Sequence, residues 1–245
     1  MTELLVESRA SVRVLTMNRP GKHNALDTAL TTRLLEELRA AAADDVCHAV
    51  VLAGAGPSFC AGADTREFAA LSENRDAVAA RRADLTAELH GVFREVRKPV
   101  VSAVQGNALG GGAGLALAAD LMVIAGDARL GYPELRHGIV AAIVMANLVR
   151  QVGPKAAFGL VATGRILNGK AAAELGLAHD VVPAEQVLAR AVEVAELLAG
   201  WSPMAMQATK ELFYKASELP FDQALAAGRD LNLAMRSFPK RAAGA

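Results

Sequence analysis

Short apolar runs alternate with longer segments of helical periodicity through about the first 131 residues of the chain. Two adjacent runs of strand length predict a β-hairpin that turns around Ala10 and Ser11. Leucines at positions 30, 34, 35 and 38 share one helical face, and they follow Asp27, a favoured N-cap residue. The pattern predicts strands at 4–9, 12–17, 49–53, 99–104 and 121–125, and helices at 28–42, 75–96 and 112–119.

After Glu134 the periodicity is mostly helical, which together with the earlier alternation predicts an α/β fold with a helical C-terminal part. We divide the chain into a core of residues 1–200 and a C-terminal helical segment of residues 201–245. The candidate hinge between them is Trp201-Ser202-Pro203. The predicted helices of this half are 140–151, 154–162, 169–175, 184–198, 203–216 and 221–236.

The composition of the chain argues against several kinds of partner and site. The 26 basic and 26 acidic residues cancel, so no net charge favours nucleic acid or an anionic membrane as partner. Two cysteines, Cys47 and Cys60, are too few for a disulfide framework, and no Cys/His pair has metal-ligand spacing, so we expect no metal site. The chain starts with neither a basic region nor a long apolar run. We therefore expect no signal peptide. The longest apolar stretches, such as 139–149, are too short to span a bilayer, so we expect no membrane span and a cytoplasmic location.

Two glycine-bearing segments, 59–64 and 106–114, are the strongest chemical signal in the sequence. Each predicts a loop that runs into a helix, where small residues let backbone N–H groups approach a ligand. Two such donors from separate loops can form an oxyanion hole. An acid, Glu134, follows a further strand-like stretch. Two donors and one acid are the groups needed to form and quench an enolate.

These segments belong to a longer series of motifs that resembles the enoyl-CoA hydratase/isomerase (crotonase) family over nearly the whole chain. Each motif alone is a weak signal, because glycine-rich turns are common, but their order and spacing make the combination specific. In chain order they are Asn18-Arg19-Pro20, Asn24-Ala25-Leu26, Phe59-Cys60-Ala61-Gly62-Ala63-Asp64, Gly106 to Gly112, Ala118-Ala119-Asp120 and Pro133-Glu134.

The resemblance implies a crotonase-like spiral of ββα units, a homotrimer or homohexamer, and an enzyme of fatty acid metabolism. Its substrate would be an acyl-CoA, with coenzyme A as part of the substrate and no separate cofactor. The N–H groups of Ala63 and Gly111 would bind the thioester oxygen, and Glu134 would be the acid/base. The remaining positions implied in substrate binding are Lys22, Ala25, Ala61, Asp64, Arg66, Gly110 and His137, although Asp64 also suits a helix cap.

One departure from the family pattern bears on the reaction. Gly114 stands where two-acid hydratases carry a second glutamate. A 1,3 proton shift needs a single base, so the sequence favours Δ3,Δ2-enoyl-CoA isomerisation, while hydration of a 2-enoyl-CoA stays open. We expect Gly114→Glu to be tolerated at a helix start and to favour hydration. His137 is a further candidate for the second role.

Two other functions use the same features. An acyl-CoA decarboxylase or C–C lyase would use the same oxyanion hole, and a non-catalytic acyl-CoA-binding protein would need only the binding surface. The presence of Glu134 beside both oxyanion loops argues against the non-catalytic alternative.

Overall fold

The structure, a computed structural model, describes residues 2–69 and 75–238. Within these ranges the predicted strands are all observed, and four short strands are added, of which the one at 129–131 is the strand-like stretch predicted before Glu134. The strands are β1 (Leu4–Arg9), β2 (Val12–Met17), β3 (Ala49–Gly54), β4 (Val100–Val104), β5 (Asn107–Leu109), β6 (Leu121–Ala125), β7 (Arg129–Gly131), β8 (Ile166–Leu167) and β9 (Asp180–Val182).

Six of these strands form the main sheet, in the order β1-β2-β3-β4-β6-β9. The first pair is the predicted antiparallel hairpin, with Ala10 at a positive φ of 50° in its turn. The other pairings are parallel, for example Val50 opposite Val100 and Val101 opposite Leu121. Every residue of β3 and β4 is buried, as expected for parallel strands covered on both faces.

A second sheet of three strands, in the order β5-β7-β8, was not predicted. Its strands have two or three residues each, which is too short for an alternating pattern to reveal. Ala108 of β5 also forms an isolated parallel bridge with Cys60. This small sheet therefore joins the two glycine-bearing segments to the residues that precede Glu134.

The described helices follow the predicted order, with differences mainly at their ends. They are α1 (Thr28–Ala43), α2 (Thr65–Ala69), α3 (Arg75–Glu95), α4 (Gly111–Ala118), α5 (Met145–Thr163), α6 (Gly169–Glu174), α7 (Val187–Ala199), α8 (Pro203–Ala216) and α9 (Phe221–Ala234). The predicted start of a helix at residue 140 is wrong, because α5 begins at Met145. Gly153, with φ 76°, interrupts α5 between the two predicted helices.

The core lies between the main sheet and helices on both sides of it. The predicted leucine face of α1 is buried, and Asp27 caps this helix by accepting a hydrogen bond from the N–H of Leu30 at 2.9 Å. Helix α7 packs across β2, β3, β4 and β6. Both cysteines are free and buried. No helix within the described ranges is long and apolar enough to cross a membrane.

Asp120, from one of the sequence motifs, joins the C-terminal helices to the core. Its carboxylate accepts hydrogen bonds from the N–H of Val100, from Lys210 Nζ and from the Tyr214 hydroxyl, each at 2.7 Å. Burial lowers the pKa of Lys210, and the Asp120 charge opposes that shift. The division into residues 1–200 and 201–245 stays a prediction, and residues 239–245 lie outside the described ranges.

Candidate active site

The loop that carries the first two motifs supports the site from one side. Asn24 is fully buried with φ 56°, a left-handed conformation that asparagine tolerates better than most residues. Its Nδ2 donates to the carbonyls of Ala55 at 2.9 Å and Ser58 at 2.7 Å, and its Oδ1 accepts from the N–H of Arg19 at 2.8 Å. These bonds hold the loop against the chain that leads into the first glycine-bearing segment.

Asp64 at the end of that segment is used within the protein. Its Oδ2 lies 3.0 Å from Arg19 Nη2, and its Oδ1 accepts from the N–H of Arg66 at 3.3 Å, which is the expected helix cap. Burial acts to raise the pKa of Asp64, but the Arg19 hydrogen bond, the Arg66 N–H and nearby positive charges hold it below its ordinary value. Asp64 therefore orders the loop, and both its carboxylate oxygens already have partners.

The backbone around Ala63 leaves one N–H free. The N–H of Leu26 donates to the Gly62 carbonyl at 2.8 Å, and the N–H of Asp64 donates to the Leu26 carbonyl at 2.9 Å. Leu26 and Ala63 thus form a parallel bridge, in which Leu26 bonds the residues on either side of Ala63. The N–H of Ala63 itself therefore points away from Leu26. Ala63 is exposed, and no hydrogen bond between described residues uses its N–H.

The second free N–H belongs to Gly111, the first residue of α4, where helical geometry offers it no acceptor. A Cβ built on Gly62 would lie 3.4 Å from the Gly111 nitrogen, and one built on Gly111 would lie 3.9 Å from the Ala63 nitrogen. The two segments are therefore in contact, and the two predicted N–H donors lie close together.

Glu134 lies directly against this second segment. The N–H of Gly110 donates to the Gly131 carbonyl at 2.9 Å, which brings the strand preceding Glu134 alongside. A Cβ on Gly110 would lie only 2.9 Å from Glu134 Oε1, and Gly110 has φ 54°, so both space and conformation favour glycine there. A side chain at position 110 would therefore displace Glu134, the predicted acid/base.

The electrostatic environment of Glu134 suits a proton acceptor. Its Oε2 is buried and has no hydrogen-bond partner within the described residues. Burial raises the pKa of Glu134, and its own backbone N–H and the charge of His137 offset part of that rise. A carboxylate that is desolvated and incompletely hydrogen-bonded binds a proton more tightly than an exposed one.

Tyr132, two residues earlier, presents a second unpartnered group. Its side chain is almost fully buried, and its hydroxyl has no hydrogen-bond partner among the described residues. Burial, and then the nearby Glu134 charge, raise the pKa of Tyr132, so the phenol stays protonated. Buried polar groups are seldom left unpaired, so the Tyr132 hydroxyl and Glu134 Oε2 are both candidates for contact with a ligand.

The expectation that Gly114 tolerates glutamate is wrong. Gly114 is buried in α4, and a Cβ there would lie 2.3 Å from Val144 Cγ1 and 2.8 Å from His90 Nε2. The position of the missing second acid is therefore occupied by the side chains of Val144, which precedes α5, and of His90 on α3. Val144, His90 and Tyr132 were not predicted from the sequence to lie at this site. For His90 a local signal was present, because its imidazole stands among Leu89, Val92 and Phe93, which are buried residues of α3.

The remaining predicted substrate-binding residues lie on several loops, and no common hydrogen-bond network among the described residues joins them. Ala61 is exposed, and its N–H donates to the His23 carbonyl at 2.9 Å; the Ala25 carbonyl accepts from Arg19. Lys22 and Arg66 are exposed side chains, and the Lys22 charge contributes to the low pKa of Asp64. His137 is exposed in the same helical turn as Glu134.

Two backbone donors beside a partly desolvated glutamate can stabilise a developing oxyanion while a proton is moved nearby. Residues 7–242 match the family model described as enoyl-CoA hydratase/isomerase, and the chain belongs to this family. It is 37% identical over 232 residues to 2,3-dehydroadipyl-CoA hydratase of Escherichia coli K12, covering 94% of this chain and 89% of the relative. It is 41% identical over 207 residues to a putative enoyl-CoA hydratase of Thermus thermophilus, covering 83% and 81%.

Solved structures confirm the predicted fold class. An enoyl-CoA hydratase from Bacillus anthracis superimposes with a TM-score of 0.91 at 28% identity, covering 96% of this chain and 91% of that one. An enoyl-CoA hydratase from Mycobacterium smegmatis gives a TM-score of 0.90 at 29% identity, covering 97% and 92%. The chain therefore has the crotonase fold.

Proposed function

We propose that the protein acts on an enoyl-CoA thioester, with Glu134 as the acid/base and with Ala63 and Gly111 donating to the thioester oxygen. The observation that carries this proposal is the buried Glu134 Oε2, which has no partner among residues 2–69 and 75–238, beside two N–H groups that find no acceptor in the same ranges. Coenzyme A enters as part of the substrate, and no separate cofactor is required.

The thioester oxygen is the atom on which negative charge develops during the reaction. Removing a proton next to a thioester carbonyl places negative charge on the carbonyl oxygen. Two prepositioned N–H donors stabilise that charge, and each donor of this kind is worth about 3–4 kcal/mol in other enzymes. The raised pKa of Glu134 brings the base closer to neutral pH, which favours proton transfer in both directions.

A single carboxylate supports Δ3,Δ2-enoyl-CoA isomerisation most directly. Glu134 would take a proton from C2 of a 3-enoyl thioester, the electron pair would delocalise into the dienolate, and the same proton would return at C4. No water and no second acid take part. The filled space at Gly114 supports this reading, because it leaves no room for a second carboxylate at that position.

Hydration of a 2-enoyl-CoA is the second candidate. It is supported by the relatives, whose names describe hydratases, including one for 2,3-dehydroadipyl-CoA. Decarboxylation or C–C cleavage of an acyl-CoA would use the same two donors, with Glu134 as the acid that protonates the resulting enolate, but the names of the relatives describe neither reaction. A purely binding function would leave the buried Oε2 of the half-buried Glu134 desolvated at a cost and without a role.

The protein would work as a homotrimer or homohexamer through its C-terminal helices. Large apolar side chains there are exposed in the single chain, including Phe213 at 66%, Phe221 at 75% and Leu225 at 58%. Exposed apolar residues in such numbers favour burial against another chain. The cytoplasmic location stays a prediction.

The test is a pair of assays in deuterated water. One follows loss of the conjugated thioester absorbance of crotonyl-CoA, and the other follows its gain from a 3-enoyl-CoA. Loss from the first indicates hydration and gain from the second indicates isomerisation. Measurable CoA-thioester binding with neither change would refute the proposed enzyme and favour the binding protein.

A further inference from the structure

Arg19 is held among carboxylates, with one nitrogen of its guanidinium directed at the backbone. Its side chain is 14% exposed, and its Nη2 lies 2.8 Å from Asp27 Oδ2 and 3.0 Å from Asp64 Oδ2. Glu3 Oε1 lies 3.4 Å from Nε. The remaining nitrogen, Nη1, donates to the carbonyl of Ala25. Because the guanidinium is a rigid planar fork, the ion pairs on Nε and Nη2 fix the direction in which Nη1 points.

Two peptide groups connect this guanidinium to the N–H of Ala63. The Ala25 carbonyl and the Leu26 N–H belong to one peptide group, and that N–H donates to the Gly62 carbonyl at 2.8 Å. The Gly62 carbonyl and the Ala63 N–H belong to the second peptide group, and this N–H is the predicted donor to the thioester oxygen. In order, the bonds run from Arg19 to Ala25, from Leu26 to Gly62, and from Ala63 to the substrate.

All donors in this series point the same way, from the guanidinium toward the substrate. An amide whose carbonyl accepts a hydrogen bond becomes a stronger N–H donor, because the bond draws electron density from the nitrogen toward the carbonyl oxygen. Each hydrogen bond in such a chain strengthens the next by about 10–30%. The first donor here is charged, and charge-assisted hydrogen bonds are about twice as strong as neutral ones.

The second N–H of the predicted oxyanion hole obtains the same kind of polarisation from a helix. The Gly110 carbonyl shares a peptide group with the Gly111 N–H, and it accepts from the N–H of Gly114 at 2.9 Å at the start of α4. The Gly111 N–H therefore lies at the end of a helical series of hydrogen bonds. Ala63 is not at the start of a helix, so the bond to the Gly62 carbonyl comes from another part of the chain.

We propose that Arg19 is a positioning residue that strengthens the Ala63 N–H as a donor through the peptide groups of 25–26 and 62–63. The proposal rests on the proposed function, because Ala63 must donate to the thioester oxygen. The surrounding carboxylates offset the long-range field of the guanidinium, so its effect passes through the hydrogen bonds. A stronger donor gains most when charge develops on the thioester oxygen, so the effect falls on kcat more than on substrate affinity.

The most direct test removes one N–H and changes no side chain. Replacing Leu26 by its α-hydroxy acid turns the amide between Ala25 and Leu26 into an ester, which has no N–H to donate to Gly62. Loss of a whole oxyanion-hole donor lowers kcat by about 10²–10³-fold, so weakening that donor by about 10–30% predicts a fall of about 2–8-fold. The matched control is the same replacement at Leu177, whose N–H donates to the Ala172 carbonyl at 2.9 Å in the turn after α6. The control should leave kcat unchanged.

The carbonyl stretch of bound butyryl-CoA, labelled with ¹³C at C1, measures the polarisation itself. This saturated thioester has no double bond to hydrate or to move. Binding to the parent should lower the stretching frequency, and the Leu26 ester should lose part of that shift. Arg19→Lys should lose part of it too, because an ammonium can pair with the carboxylates but has no separate arm for the Ala25 carbonyl.

A double variant tests whether the two changes act on one series of bonds. If they do, the Leu26 ester combined with Arg19→Lys should be about as slow as the slower single variant. If Arg19 only holds the loop together, the two losses in kcat should add. Additive losses in kcat would therefore overturn the proposal, as would an unchanged kcat and carbonyl frequency in the folded Leu26 ester.

A measurement on the parent protein keeps the proposal testable if a variant does not fold. With ¹⁵N-labelled leucine, the amide proton of Leu26 should move downfield on binding butyryl-CoA, since the Gly62 carbonyl becomes a stronger acceptor once the Ala63 N–H donates to the thioester. CoA alone has no such oxygen and should cause a smaller shift, so equal shifts would overturn the proposal. A parent that does not lower the carbonyl frequency of bound butyryl-CoA refutes the proposed function itself, because Ala63 and Gly111 then do not hold that oxygen.

Discussion

The contact between Gly114 and Val144 allows a quantitative test of how the site is packed. In Gly114→Ala the new Cβ would lie 2.3 Å from Val144 Cγ1, well inside the usual carbon–carbon separation of about 3.5–4.0 Å. Overpacking of this kind typically costs about 1–3 kcal/mol, and the better helix propensity of alanine returns about 0.8–1 kcal/mol. We expect a net loss of about 0–2 kcal/mol in the free energy of unfolding.

Val144→Ala provides the second arm of a double-mutant cycle. Val144 is 5% exposed, so removing its two γ-methyl groups should cost about 1.6 kcal/mol from lost apolar burial, with a further cavity term. In the double variant the Cβ of residue 114 enters the vacated space. The two losses should therefore not add, and a favourable coupling of about 1–2 kcal/mol is expected.

The assay is urea unfolding followed by circular dichroism, at one fixed protein concentration for all four proteins because an oligomer's stability depends on concentration. If Gly114→Ala alone raises the free energy of unfolding by about 1 kcal/mol and shows no coupling to Val144→Ala, the packing argument is refuted. Gly114→Glu meets the same obstruction, so its effect on the hydration-to-isomerisation ratio should be measured with Val144→Ala present.

Four further outcomes are expected. Glu134→Gln should keep acyl-CoA affinity while turnover falls by about 10²-fold or more, measured by kinetics and calorimetry; equal turnover would remove Glu134 from its role. Burial holds the folded-state pKa of Glu134 above its ordinary 4.5, so the parent should lose stability as pH rises from about 4.5 through the raised pKa. In urea titrations Glu134→Gln should lack this loss. Parallel pH profiles of stability for the two proteins would contradict this prediction. Gly111→Pro should fold, because proline suits a first helical position, yet lose rate and affinity with its N–H; retained rate would place the donor elsewhere. Sedimentation at low micromolar concentration should show at least three chains, and a clean monomer would exclude the proposed assembly.

Local patterns in the sequence determined most of the main sheet and of the helices. The strands of the hairpin and the two fully buried strands were predictable because apolar runs of that length bounded by turn residues have few alternatives. Asp27 was predictable as a cap because its side chain bonds a backbone N–H three residues away. The two glycine-bearing segments and Glu134 were visible in the same way, since each carries its signal within a few residues.

What the sequence could not determine depends on residues far apart in the chain. The small sheet of β5, β7 and β8 forms only through pairing between segments, and its strands are too short to show a period of their own. Gly114 looked like an open position because helix propensity is a local property, whereas the space around it is filled by Val144 and His90 from other segments. His90 looked like one of five scattered histidines until α3 packed against α4. The tertiary structure decides such positions because close packing lets distant side chains compete for the same volume.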